Sequence, residues 1–526
     1  MVPSHHSLVE GVETWADRTP GATAVIEDDR KVTYTQLRDR SRTVAGALAA
    51  LGVEQGDRIG YVGRNSVEQI ELTAGAGMLG AVVVPVNWRL SVRETHALIE
   101  HMDATVVVVQ SELLGLARAA LENADRVEDV IVIGGSATHG ELGYDEWKAS
   151  AAPLAPERFA VLQDTDVAAQ LYTSGTSGIP KGVMLSCAGL RATVRLVAGV
   201  WKLDPGAVLL PALPWFHVGG IGAVAGALSA GISIVVQNEI SGDHLLRAIE
   251  RNRVTSTVVA PIMIQWLCAH PAARTTDLSS LRLVAYGGSP ISSSVLHAVL
   301  DLLPQADLAQ IYGLTEAWGT VTLLDGAAHH DSGHPERLQS AGRPVAGLTV
   351  RLVDPLTGEE AKRGEVGEIW VKYIGNMIGY YKQPELTAEV LTADGFLRTN
   401  DLGRLDEDGY LFLSDRVGDM IVSGGENIFP SELEEVIAGH PDVAEVAVVG
   451  VAHPTWGETP KAYVVPVEGT APEPQQVIDY ARQNLARYKC PTSVEMVAAL
   501  PRNPSGKLLR RVLRDRAADA AGTTSD

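Results

Sequence analysis

Cysteine is scarce in this chain. There are three in 526 residues, Cys187, Cys268 and Cys490, far apart and without a Cys-x-x-Cys spacing. That excludes a disulfide framework or a thiolate zinc site and suits a reducing compartment. Positive charge is short as well: 43 Lys and Arg stand against 64 Asp and Glu, a formal net charge of −21. Nucleic-acid binders carry a basic face, so no nucleic-acid partner is expected. The first residues, MVPSHHSLVEGVETWADRTP, lack a basic start followed by an apolar core, so no secretory leader is expected and the location reads as cytoplasmic. Long apolar runs are nearly missing too. The uncharged stretch from Val218 to Val236 imitates a membrane span, but it is rich in glycine and alanine and ends in ISIVV. It reads as a buried helix followed by a buried strand, so no transmembrane segment is expected.

The length itself requires two or more domains, because single cores stop growing well below it. Short β-branched runs recur through the first four-fifths: TVVVVQ from Thr105, DVIVIGG from Asp129, SIVVQ from Ser233, STVVAP from Ser256 and LRLVAYGG from Leu281. Helical patterns lie between them, such as SRTVAGALAALG from Ser41, which stops at Gly52. Alternation of this kind predicts an α/β fold with sheets buried on both faces. Near Asp415 the pattern changes to a charged turn, a strand-like triplet, a Gly-Gly turn and a helix entered by Pro430, followed by EVAVVGVAH, KAYVVPV and a helix from about Pro474. We read a large multi-sheet N-terminal domain over residues 1–416 and a small α+β domain over 417–526, with the tail AADAAGTTSD disordered.

Five motifs carry chemistry. In LYTSGTSGIPKG, Gly175, Gly178 and Gly182 permit tight turns whose successive N–H groups cradle anions. Thr173, Ser174, Thr176 and Ser177 add hydroxyl donors and Lys181 adds charge, which is what a polyphosphate needs. The common phosphate loop is not matched, since Pro180 stands where its second glycine belongs. In QIYGLTEAWG, Tyr312 offers a flat face for a base, Thr315 a phosphate donor and Glu316 a hard oxygen ligand for Mg²⁺. AYGGSP places Gly287 and Gly288 at a strand end with room for a planar ligand. In RTNDLGRLDEDGYLFLSDR, Asp401 and Arg416 suit a ribose; in PRNPSGKLLRR a turn presents Lys507 ahead of a basic helix.

In this order and spacing the motifs resemble those of the adenylate-forming superfamily: acyl- and aryl-CoA synthetases, adenylation domains of peptide synthetases, and beetle luciferases. The resemblance runs from about Ser7 to Arg514, includes WFHVGG from Trp215 and SGGENIFPSELE from Ser423, and is greatest to stand-alone fatty-acyl and aryl-CoA ligases. It implies an enzyme that uses ATP, Mg²⁺ and coenzyme A on a small carboxylic acid, with a mobile C-terminal domain. The Thr173–Lys181 loop would hold the β- and γ-phosphates, and Gly287, Gly288 and Tyr312 the adenine. Thr315 would touch the α-phosphate, Glu316 would hold Mg²⁺, and Asp401 and Arg416 the ribose. Lys507 would bridge the acid and the α-phosphate, Gly424 and Gly425 would line the thiol passage, and His217 would gate it. Val218, Gly222, Met263, Gly288 and Trp318 are the expected, mostly apolar walls of the acid pocket.

Two positions depart from the family pattern. Its pivot usually holds Asp or Lys where this chain has Gly418, and glycine usually precedes the ribose-binding Asp401 where this chain has Asn400. These departures raise the alternative of an enzyme specialised for one half-reaction; transfer to the phosphopantetheine arm of a carrier protein and a silent binding protein stand as two further alternatives to a complete acyl-CoA ligase. A homodimer is compatible with the sequence. Replacing Lys507 by alanine should slow adenylate formation by about 10²–10³, the cost of removing one directed charge from a developing transition state; acid-dependent pyrophosphate release measures it.

Overall fold

Each β-branched run forms a strand: Val106–Gln110, Asp129–Ile133, Ser233–Val236, Ser256–Val259 and Leu283–Gly287. The computed structural model describes residues 7–122, 124–135, 137–173, 180–200, 206–355, 357–423, 426–454, 456–485, 487–502 and 508–522. The chain divides into two compact units, Met1–Thr349 with Val371–Leu397, and Val350–Trp370 with Arg398–Asp526. Compactness thus groups the strands bearing Asp401 and Arg416 with the C-terminal segment, where the sequence alone suggests a break after residue 416.

In the first unit a nine-stranded sheet has a parallel centre made by Val208–Pro211, Ser233–Val236, Ser256–Val259, Leu283–Gly287 and Asp307–Tyr312. Two separate core clusters cover its faces, one including Leu37, Val224 and Leu228, the other Leu245, Ile249 and Leu296. A five-stranded parallel sheet accompanies it, with Val106–Val109 at most 1 % exposed. An alternating strand would show one wet face; this one has none, as parallel sheets require. The helix Tyr34–Ala50 starts well before Ser41, because Thr33 and Gln36 form a capping box there, and the chain leaves it through Gly52 at φ +82°. It packs on Val67–Leu79, whose fully buried Glu71 takes Arg40 at 3.2 Å, Lys148 at 3.0 Å and the Tyr144 hydroxyl at 3.2 Å. A buried carboxylate needs such partners, and they lock this helix in place.

The uncharged stretch resolves into the helix Val218–Ser229 and the strand Ser233–Val236, both largely buried. No helix among the described residues is long and apolar enough to cross a membrane.

In the second unit Val443–His453 and Gly457–Pro466 form a long antiparallel pair, and Pro430–Ala438 and Pro474–Asn484 pack their apolar faces with it. One expectation fails: the C-terminal helix spans Arg510–Gly522, so most of AADAAGTTSD is helical and not disordered. Alanine is the best helix former, and Leu513 and Ala517 are buried one turn apart and anchor the helix.

Candidate active site

The phosphate-loop motif spans a hairpin. Val167–Thr173 pairs antiparallel with Lys181–Ser186, and Thr173 and Lys181 face each other at the last rung before the loop. Ser174, Gly175, Thr176, Ser177 and Gly178 lie outside the described residues. The returning arm is zipped along its length by residues 378–383. The Ile378 N–H donates to the Met184 carbonyl, the Tyr381 N–H to the Gly182 carbonyl, and Gln383 Nε2 to the Pro180 carbonyl, at 2.8, 2.8 and 2.9 Å. Both arms of the loop therefore start from hydrogen-bonded backbone.

The adenine positions collect at the carboxyl ends of two adjacent parallel strands, where open α/β sheets bind ligands. Gly287 pairs with Ile311, next to Tyr312. A Cβ at Gly287 would stand 2.2 Å from the Ile311 carbonyl oxygen, so only glycine fits. Gly288 has φ +84° and open space where a Cβ would be, as a planar ligand requires. From Tyr312 the chain folds back on itself. The Val321 N–H donates to the Tyr312 carbonyl at 2.8 Å and the Gly319 N–H to Leu314 at 2.9 Å, forming the one-turn helix Thr315–Ala317 that carries Thr315 and Glu316.

A residue not singled out from the sequence ties the two motifs together. The Tyr380 hydroxyl donates to Glu316 Oε1 at 2.9 Å, and Lys181 Nζ lies 5.3 Å from the centre of the same ring. Burial and the Glu316 charge push the Tyr380 phenol up, so it remains a donor. Its backbone is paired with Val183, two residues beyond Lys181. The sequence signal was GYYK, an aromatic pair at a strand position; nothing local linked it to Glu316.

The acid-pocket positions divide. His217 directly precedes the helix Val218–Ser229 without a side-chain bond to its first turn, and the Phe216 ring lies 4.5 Å from its own. A Cβ at Gly319 would touch Val218 at 3.0 Å, and one at Gly222 would face Thr193 at 3.7 Å, so this helix meets both the Glu316 loop and the helix Cys187–Val200. Trp318 is 3 % exposed beside Gly189, which sequence reasoning missed. Met263 belongs to the core on the sheet's other face, with Leu245 and Val284. Arg64 and Arg89 lie 4.9 and 4.7 Å from the Trp88 ring. Surrounding protein first, then the Arg89 charge, push the His217 imidazole down to about 4. The residue is exposed to solvent, which weakens the desolvation, so the direction of the shift, toward a neutral ring, is what stands.

In the second unit Asp401 and Arg416 are direct partners across an antiparallel pair. Asn400 adopts φ +58°, so it makes the left-handed turn that the usual glycine would make. Arg514 donates to the Gly418 carbonyl at 2.7 Å and pairs with Asp419 at 3.0 Å. Gly424, Gly425 and Lys507 lie outside the described residues.

Residues 12–381 match the family model described as AMP-binding enzyme, and residues 432–507 match the AMP-binding enzyme C-terminal domain. This chain is an AMP-binding enzyme. Among similar proteins, fatty acid–[acyl-carrier-protein] ligase ScoC of Streptomyces coeruleorubidus is 36 % identical over 98 % of this chain and 97 % of its own. Feruloyl-CoA synthase of an Amycolatopsis species is 37 % identical over 96 % and 99 %. The structure of the amide bond synthetase McbA from Marinactinospora thermotolerans superposes with a TM-score of 0.86 at 32 % identity, covering 97 % of this chain and 99 % of that one. Membership in this adenylate-forming family agrees with the grouping of Lys181 and Glu316 around Tyr380. The site also fits the family's Mg²⁺. No group of three or more His, Cys, Asp and Glu among the described residues could cage a metal alone. Mg²⁺ accompanying ATP needs only one or two carboxylates beside the phosphates, and Glu316 supplies one.

Two outcomes are expected. Tyr380→Phe removes the group that orients Glu316 and should raise the Mg²⁺ concentration needed for half-maximal pyrophosphate exchange by about 10–100-fold, as loss of an outer partner of a metal ligand does. Desolvation first and then the Arg89 charge hold the His217 imidazole below the 6.5 of an unfolded chain, so the fold takes up this proton at lower pH than the unfolded chain does. Stability therefore falls as pH drops below 6.5, and His217→Gln should flatten the dependence of the melting temperature on pH there.

Proposed function

We propose that this chain activates an apolar carboxylic acid with ATP and passes the acyl group to the thiol of coenzyme A. The observation that carries the reading is the Lys181–Tyr380–Glu316 cluster at the foot of the hydroxyl-glycine loop, within the same unit as the Gly287–Gly288 turn. It combines a cation for phosphate oxygens, an oriented carboxylate and an opening for a base.

The reaction runs in two steps. A carboxylate oxygen attacks the α-phosphorus of ATP, the bond to pyrophosphate breaks, and an acyl-adenylate remains. The thiol, losing its proton, attacks the acyl carbonyl, and AMP leaves with the electron pair. Bound Mg²⁺ would neutralise phosphate charge. Thr173 and Lys181 hold the phosphate tail; Tyr380 keeps the Glu316 carboxylate aimed. Lys507 is assigned to cancelling the repulsion between the acid and the α-phosphate, the effect expected of a preplaced cation. His217, neutral, presents an uncharged wall to the acyl carbonyl and the thiol. Asp401 and Arg416 are assigned to the ribose, Gly424 and Gly425 to the thiol passage. The 417–526 segment is assigned to alternation between the steps about Gly418, where a glycine permits the change in φ and ψ.

A second reading, a carrier-protein phosphopantetheine as acceptor, is favoured by the ScoC relative, whose name gives that acceptor. Restriction to one half-reaction draws on Gly418, since Asn400 keeps the turn it replaces. One experiment separates them. With fatty, aryl and polycyclic acids, hydroxamate trapping should reveal an adenylate, and CoA should convert it to thioester at a comparable rate. Thioester on a carrier protein but not on CoA would support the second reading, and an adenylate that no thiol consumes the third. No acid-dependent AMP with any substrate would overturn the proposal.

A further inference from the structure

Behind the loop that carries Glu316 lies a mostly apolar cavity of about 80 Å³. Its walls include Leu8, Thr73, Leu171, Leu190, Ile221 and Trp318, all within the first unit. The helix Val218–Ser229 gives the cavity Ile221 and Ala225, one turn apart on one face, just beyond His217 and Val218. Thr73 comes from Val67–Leu79, the helix locked by the Glu71 network, so the far wall is fixed. The cavity thus shares the helix Val218–Ser229 with the expected acid pocket, and of the expected wall positions Trp318 alone lines it.

Trp318 is built unusually. It has φ +54°, a conformation that bulky side chains avoid and that marks constrained sites when it occurs. Its Nε1–H is buried with no hydrogen-bond partner, which simple core packing would not favour over a leucine or phenylalanine. The facing helix yields to it: a Cβ at Gly189 would stand 2.3 Å from the indole Cδ1. A strained tryptophan and a helix glycine are thus both given over to seating one flat ring two residues beyond Glu316.

We infer that Trp318 is the length gate of the acid pocket: its indole ends the pocket against a compact acid, aromatic or short-chain, and seals an apolar chamber that takes the methylene tail of a longer acid once the indole is gone. This rests on the acid-activating function proposed above. An apolar cavity of about 150 Å³ holds benzene, so the chamber joined to the space vacated by an indole accommodates a run of methylenes. Each methylene matched or mismatched to such a pocket changes kcat/KM by roughly 10–200-fold.

The test measures acid-dependent pyrophosphate release by the full chain with benzoate, hexanoate, decanoate and dodecanoate. The wild type should favour benzoate and hexanoate. Trp318→Ala should raise the dodecanoate-to-hexanoate ratio of kcat/KM by about 10–100-fold, and adding Ala225→Phe, which refills the chamber, should reverse that gain. Thermal melts check folding; should Trp318→Ala not fold, Trp318→Leu makes the same comparison with a smaller shift in the same direction. A ratio unchanged while the wild type is active, or a gain that Ala225→Phe leaves intact, overturns the gate alone. A wild type that releases no pyrophosphate with any acid overturns the functional reading and the gate with it.

Discussion

A chain of formal charge −21 that uses ATP must make its attraction for phosphate local, because its overall field repels the ligand. In the proposed site that attraction falls to a few directional groups. Thr173 and Lys181 stand opposite each other where the hairpin opens, and the returning arm is tied through Met184, Gly182 and Pro180 to residues 378–383. The same segment supplies Tyr380, so the strand paired with the returning arm also holds the Glu316 carboxylate. The parallel sheet brings Gly287, Gly288 and Tyr312 to its carboxyl edge, and the fold-back after Tyr312 returns Glu316 to Tyr380.

Close backbone approach is the second theme. At Gly287 a carbonyl occupies the place of a side chain, and at Gly189 an indole does. These glycines are not flexible points; they are where two elements touch. Asn400 shows the converse case, holding a left-handed turn without glycine, which an asparagine tolerates better than most residues.

In the second unit, ion pairs tie the C-terminal helix to the segment around Gly418. Arg514 and Arg510 of the C-terminal helix reach Asp419, and Arg510 also takes Glu434 at 2.6 Å. Gly418 has no side chain to hold, so its carbonyl is gripped by Arg514. The backbone at Gly418 is thus held by a helix far along the chain.

Much of this was legible in the residues alone. Continuous β-branched runs meant strands buried on both faces, since no alternation remained for a wet side. The Gly-Ala stretch before ISIVV read correctly as helix then strand, and the five motifs in order pointed to the family. These are local properties, set by side-chain chemistry and spacing. The reach of the helix Tyr34–Ala50 and the helical C-terminus were missed because a cap and two anchoring alanine and leucine contacts decided them. The Tyr380–Glu316 bond and the seat of Trp318 on Gly189 join positions far apart in the chain. Only the tertiary structure decided them, because hydrogen bonding and steric fit act over ångströms in space and leave no mark on the order of residues.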